Sequence, residues 1–219
     1  MRDNIAVLIP ALDSNRYYPE GDLVLFGDTT LLEWKISQVL GLIDRKKIYI
    51  ATPSEKITEL VQGYGVKVVK RSQNTQSLEW IKECVKPVKE EIILWACVTS
   101  PFVSEGDYRQ MLETFFNLPK NYDSLIAVYK EQEYILFQNA PLNFDIDQYA
   151  IREDLNPVYR ITNGCYITHK ESYHQNRKFF GHSPYYYEVD RLTSLEIKDI
   201  NDYAMASNLL SLYFKTKEV

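Results

Sequence analysis

Residues 5–34 read IAVLIPALDSNRYYPEGDLVLFGDTTLLEW, and this stretch decides the fold. Residues 5–10 are apolar without alternation, as in a parallel strand buried on both faces. A polar segment, 11–22, follows. Then TTLLEWKISQVLGLI (29–43) sets Leu32, Ile36, Val39, Leu40 and Ile43 at helical spacing, with Thr29 or Thr30 available as N-cap. Strand, polar loop and helix form the unit on which open α/β sheets build a ligand site, at the carboxyl end of the strand. Phosphate-binding loops at this point are commonly rich in Gly. This one has Gly21 late and a cation, Arg16, early.

Outward from that unit the pattern repeats. Strands are expected at 46–52, 66–71, 90–98 and 124–131, and helices at 54–65, 75–88 and 104–117. Alternation about every 20 residues predicts a Rossmann-like, doubly wound, mostly parallel α/β sheet with right-handed crossovers. The rhythm breaks after residue 131. Residues 132–190 hold short strand-like pieces, YILFQ and YRITNGCYIT, and a Tyr-rich, loop-like stretch. LTSLEIK (192–198) reads as a returning strand and 201–215 as a last helix. No Gly/Ser-rich linker divides the chain, so one domain is expected over 1–219, with an inserted arm at about 132–190.

The charge balance is 30 acidic against 25 basic residues, net −5, which excludes a broad electrostatic grip on nucleic acid. An anionic small substrate stays compatible, because a few local cations outweigh a mild global charge. Cys84, Cys97 and Cys165 show neither zinc spacing nor a disulfide framework and read as buried free thiols of a reducing cytoplasm. No signal peptide and no apolar stretch of transmembrane length is visible, so a cytoplasmic location without membrane association is expected. His169, His174 and His182 have no ligand spacing and read as surface or interface residues.

Four blocks, in order, resemble the cytidylyltransferases that make CMP-sugars, namely acylneuraminate and 3-deoxy-manno-octulosonate cytidylyltransferases. They are IPALDSNRYYPEGDLVLFGDTTLLEW, VTSPFVSEGDY, IREDLNPVYRITNGCYIT and SLEIKDINDYAMA. The resemblance implies the nucleotide-diphospho-sugar transferase type of sheet. It implies CTP and a sugar acid as substrates, with attack of the sugar hydroxyl on the α-phosphorus, loss of pyrophosphate and help from Mg2+. It also implies a homodimer joined through the arm.

The residue roles below are implied in the same way. In the first block the family's Arg-Gly-Gly-Ser-Lys stands here as Leu12, Asp13, Ser14, Asn15 and Arg16, and a later lysine as Gly21. Leu12, Ser14, Asn15, Arg16 and Arg71 fall at nucleotide-binding positions, with Arg16 keeping a cation that can grip phosphate. Asp13 puts an anion there and would help only by holding Arg16 or a metal. The alternative is an ordinary connection in which Asp13 or Ser14 caps nearby backbone. Thr99, Ser100, Arg152 and Asn163 fall at substrate positions, while a family glutamine is Cys97. The two metal-binding aspartates are Glu196 and Lys198. Glu196 keeps a cation ligand and, with Arg16, a catalytic position. Lys198 would meet substrate phosphate, or simply pair with Glu196. Two other functions remain open. One is a non-catalytic relative that binds nucleotide or regulates a partner. The other is a nucleotide-sugar-dependent glycosyltransferase, for which FDID (144–147) is the sole Asp-x-Asp segment.

Overall fold

The computed structural model describes residues 4–15, 17–73, 79–148, 150–176 and 179–217. Seven strands form the central sheet: β1 (Ile5–Pro10), β4 (Ile48–Thr52), β5 (Lys67–Lys70), β6 (Ile92–Trp95), β7 (Ser124–Glu131), β10 (Val158–His169) and β11 (Pro184–Glu188). Their order is β11-β7-β10-β6-β1-β4-β5. Every neighbouring pair is parallel except those of β10, which runs antiparallel between β6 and β7.

Strand β1 shows why the sheet is covered twice. Ile5, Val7 and Ile9 enter one core cluster and Ala6 and Leu8 the other, as the two-residue period of a strand requires. On the first face pack α1 (Leu31–Leu40), α2 (Glu55–Gln62), α4 (Glu105–Phe116) and part of α6 (Ile200–Lys217). On the second lie α3 (Glu79–Val85) and α5 (Lys170–Asn176), around Trp95, which meets Trp80, Tyr173 and Phe179 ring to ring. Helix starts are fixed by local chemistry. Thr30 and Glu33 close a capping box on α1, Ser104 and Asp107 another on α4, and Ser54 caps α2.

Two segments differ from the sequence expectation. Residues 192–198 form no strand: 191–194 turn, and 195–198 carry no ladder. Ile197 is buried and donates a single backbone bond to the Thr99 carbonyl at 2.8 Å, so the alternation of SLEIK reports a buried side rather than strand pairing. The short strand-like piece YRITNGCYIT belongs to a 12-residue strand, β10. Residues 132–157 leave the sheet and hold the hairpin β8 (Leu136–Phe137) and β9 (Ala140–Pro141), whereas β10 and β11 return to it. Between β1 and α1 a second small ladder joins β2 (Leu25–Phe26) to β3 (Thr29–Thr30).

Candidate functional site

The polar segment after β1 folds around one buried carboxylate. Asp22 accepts the Leu12 N–H at 2.8 Å and the Tyr17 hydroxyl at 2.7 Å, while its own N–H bonds the Leu12 carbonyl at 2.7 Å. Burial pushes its pKa up to about 6, against the pull of those two donors and of nearby Arg71. Asn15 uses its side-chain oxygen to hold the N–H groups of Tyr17 and Tyr18, an Asx turn. Gly21 has φ +55°, and a Cβ there would sit 2.4 Å from the Leu12 carbonyl oxygen and 2.5 Å from the Ser14 nitrogen. The chain returns against itself at a distance that excludes any side chain, lysine included.

Asp13 takes the Ser54 hydroxyl at 2.6 Å and so ties the loop to the cap of α2. Ser14 is exposed. Arg16 lies outside the described residues.

At the carboxyl ends of β1, β5 and β6 a recess of about 180 Å3 opens, lined among others by Leu12, Asp22, Arg71, Trp80, Cys97 and Thr99. Arg71, 8% exposed, donates to the carbonyls of Ala51 (3.2 Å) and Ser72 (2.8 Å), and its guanidinium lies 5.0 Å from the Trp80 ring centroid. Two of its five N–H groups serve backbone, and the planar cation is held on an aromatic face at the recess wall. Burial pushes the Cys97 thiol up to about 12, which keeps it protonated at neutral pH.

Behind the recess, α1 holds the Thr99–Pro101 segment from below. Lys35 is fully buried and donates to the Ser100 carbonyl (2.8 Å) and the Tyr108 hydroxyl (3.0 Å). Trp34 and Gln38 both donate to the Pro101 carbonyl at 2.6 Å. Burial pulls the Lys35 ammonium down to about 7. Ser100 itself is 1% exposed, and its hydroxyl has no partner among the described residues. Ser100 gives its carbonyl to Lys35, and Thr99 is the neighbouring residue that lines the recess.

Next to this wall stands a polar chain. The ladder of β10 with β7 passes from Ile161 opposite Val128 to Tyr166 opposite Ile126, three residues more on β10 than on its partner. That bulge contains Asn163 and Gly164 and turns Asn163 toward the loop after residue 195. Gly164 packs so closely that a Cβ would lie 3.0 Å from Val103 Cγ2. The Tyr166 hydroxyl donates to Asn163 Oδ1 at 2.7 Å, and Asn163 Nδ2 donates to Glu196. The other Glu196 oxygen lies 3.8 Å from Lys198 Nζ. The bond from Ile197 to Thr99 joins this array to the recess.

Most of the expected site residues are thus gathered: Leu12, Arg71 and Thr99 line the recess, and Asn163, Glu196 and Lys198 stand beside it. Arg152 is not among them. It is largely exposed outside the sheet and pairs with Glu133 at 3.0 Å, away from the recess of this chain. FDID also lies outside the sheet, with Asp145 holding the Asp147 N–H. The three histidines are exposed. Sequence reasoning missed Asp22, Trp80 and Lys35. For Lys35 a signal existed: it stands on the apolar stripe of α1, three residues after Leu32 and four before Val39.

A family model described as cytidylyltransferase matches residues 6–215. The chain belongs to the cytidylyltransferase family. Among its relatives, the N-acylneuraminate cytidylyltransferase of Streptococcus agalactiae serotype V is 22% identical over 215 residues, covering 90% of this chain and 51% of that protein. The enzyme of the same name from Escherichia coli O18:K1:H7 is 24% identical over 218 residues, covering 94% and 52%. The chain thus spans about half the length of the curated relatives it matches. Among solved structures, a CMP:2-keto-3-deoxy-manno-octonic acid synthetase complexed with CTP superposes with TM-score 0.71 at 13% identity, covering 95% of this chain and 99% of that one. The 4-diphosphocytidyl-2C-methyl-D-erythritol synthase of Anaerococcus prevotii gives 0.69 at 16%, covering 94% and 98%. These likenesses establish the α/β fold of nucleotidyltransferases for this chain.

Proposed function

We propose that this cytidylyltransferase transfers CMP from CTP to a sugar acid. The sugar's hydroxyl oxygen forms a bond to the α-phosphorus, the bond from that phosphorus to the αβ-bridging oxygen breaks, pyrophosphate leaves and the hydroxyl proton passes to solvent. The observation that carries this reading is the array Tyr166–Asn163–Glu196–Lys198, set by the β10 bulge beside the recess at the ends of β1, β5 and β6. That is the place where open α/β sheets bind ligands, in a chain whose relatives are called N-acylneuraminate cytidylyltransferases.

In this reading Arg71 and the Ser14 backbone meet the nucleotide beside Leu12 and Asn15, whose own backbone bonds to Asp22 and Tyr18 hold the loop in shape, with Arg16 as a second cation. Thr99, Asn163 and Lys198 meet the sugar acid and phosphate. Preplaced donors and cations stabilise charge developing on phosphate oxygens. Magnesium seeks carboxylate and phosphate oxygens. Among the described residues no three carboxylate, thiol or imidazole groups come together, and Glu196 faces the Lys198 ammonium rather than a second carboxylate, so the residues present do not fit a protein-held ion. Any magnesium is proposed to travel on the phosphates of CTP.

A second copy is proposed to cover the 132–157 segment, and the free thiols suit a reducing cytoplasm. The runner-up, a nucleotide-binding relative without turnover, is favoured by the Asp13–Ser54 tie and the close return at Gly21, which tighten the loop. Thermal shift with CTP, UTP, ATP and GTP separates the cases, followed by pyrophosphate release with N-acetylneuraminate and 3-deoxy-manno-octulosonate. CTP-selective stabilisation with release supports the transferase. Stabilisation without release supports the runner-up. Failure of every nucleotide overturns both.

A further inference from the structure

The Glu196–Lys198 pair has the geometry of a fixed carboxylate that steers a reachable cation. Glu196 is 12% exposed at its side chain, with one oxygen clamped by the Asn163 amide. Asn163 is held in turn by the bulge and by Tyr166. The backbone on either side of the pair is pinned: Ile197 N–H to the Thr99 carbonyl at 2.8 Å, Lys198 N–H to Asp202 at 2.9 Å. Lys198 is 53% exposed at its side chain, so its ammonium, 3.8 Å from Glu196 and one residue from the Ile197–Thr99 link to the recess, stays open to a ligand.

The charges close without a metal. Two carboxylates and a divalent ion sum to zero, and so do one carboxylate and one ammonium. A divalent ion placed at Glu196 would stand beside that ammonium and be repelled. An ammonium offers a phosphate oxygen charge-assisted N–H donors where a metal would offer a coordination bond.

We propose that Lys198, steered by Glu196, replaces a protein-held divalent cation at this recess, so that CTP binds through its phosphates without added metal. This rests on the CTP reading above and deepens it. The test uses the full chain, with CTP titrated by calorimetry and thermal shift in EDTA and in Mg2+. The expected result is a Kd in EDTA within about threefold of that in Mg2+. K198A, judged folded by its ligand-free melting temperature, is expected to bind about tenfold more weakly in EDTA and to recover in Mg2+. Manganese titrated without nucleotide, followed by electron paramagnetic resonance, is expected to stay free with the natural chain and to be held by K198D, which supplies a second carboxylate. CTP binding to the natural chain that requires Mg2+, or tight nucleotide-free Mn2+, overturns the inference and leaves the CTP reading standing. No CTP binding under any condition overturns both.

Discussion

Asp22 lines the recess and Lys35 lies behind it; both are buried ionisable residues, and their burial writes opposite slopes into stability. Lys35 falls from 10.5 to about 7 on folding. Between those values the unfolded chain holds a proton that the folded chain lacks, so stability rises with pH across that window. The groups facing its ammonium are Tyr108, Asp107 and the thiols of Cys97 and Cys165. The natural chain should therefore gain about 2 kcal/mol relative to K35M between pH 7 and 9, read from urea denaturation of both. Parallel curves would show that the ammonium is not lost there. Asp22 rises from 3.8 to about 6, and between those values the folded chain holds the extra proton. Stability then falls as pH rises, and the natural chain should lose about 2 kcal/mol relative to D22N between pH 4 and 6. Composition and motif matching reveal neither residue, because both act through burial, which a linear pattern marks only by an ionic residue among apolar ones.

At the scale of elements, the return at Gly21 and the bulge in β10 decide the site, and the sequence shows them unequally. The residues Gly21, Asn163 and Gly164 stand in quoted motifs. The first half of β10 alternates in burial, but from Gly164 to Thr168 it is buried on both faces, where alternation vanishes and strand length cannot be read. A bulge depends on the partner strand's register, so no single stretch encodes it. The helices and parallel strands were legible because capping residues and apolar runs are local. Residues 195–198 misled for the converse reason, alternating without a partner. Gly21 gives a sharp test against Gly27, since both have positive φ, +55° and +63°. At Gly27 the nearest atom to an added Cβ is Leu210 Cδ1 at 3.4 Å, ordinary contact, whereas at Gly21 it is backbone at 2.4 Å. G27A should cost about 1 kcal/mol, the backbone preference alone. G21A should cost at least about 3 kcal/mol and weaken CTP binding, because the loop must open to admit the methyl group. Equal costs in urea denaturation would mean that the loop yields freely at residue 21.

For the whole molecule, the decisive feature is where apolar surface is left uncovered. Both sheet faces are closed by helices, yet Leu136, Phe137, Leu142 and Ile146 remain 64%, 60%, 50% and 75% exposed, all within 132–157. Single exposed apolar residues are ordinary, but this many on one segment outside the sheet is the observation behind the proposed contact with a second copy. The segment supplies little to the chain's own core: Leu155 is its one buried apolar residue among those described. Replacing Phe137 and Ile146 by Asp should therefore leave the melting temperature of a dilute sample within a few degrees of the natural chain, while reducing its sedimenting mass from dimer to monomer. Its CTP affinity distinguishes what the second copy does. An unchanged Kd in the monomer would confine nucleotide binding to one chain's recess, as the placement of Arg71 and Thr99 implies. A natural chain that sediments as a monomer at micromolar concentration would remove the dimer, and with it the explanation of why this segment stays apolar outside a core it does not fill.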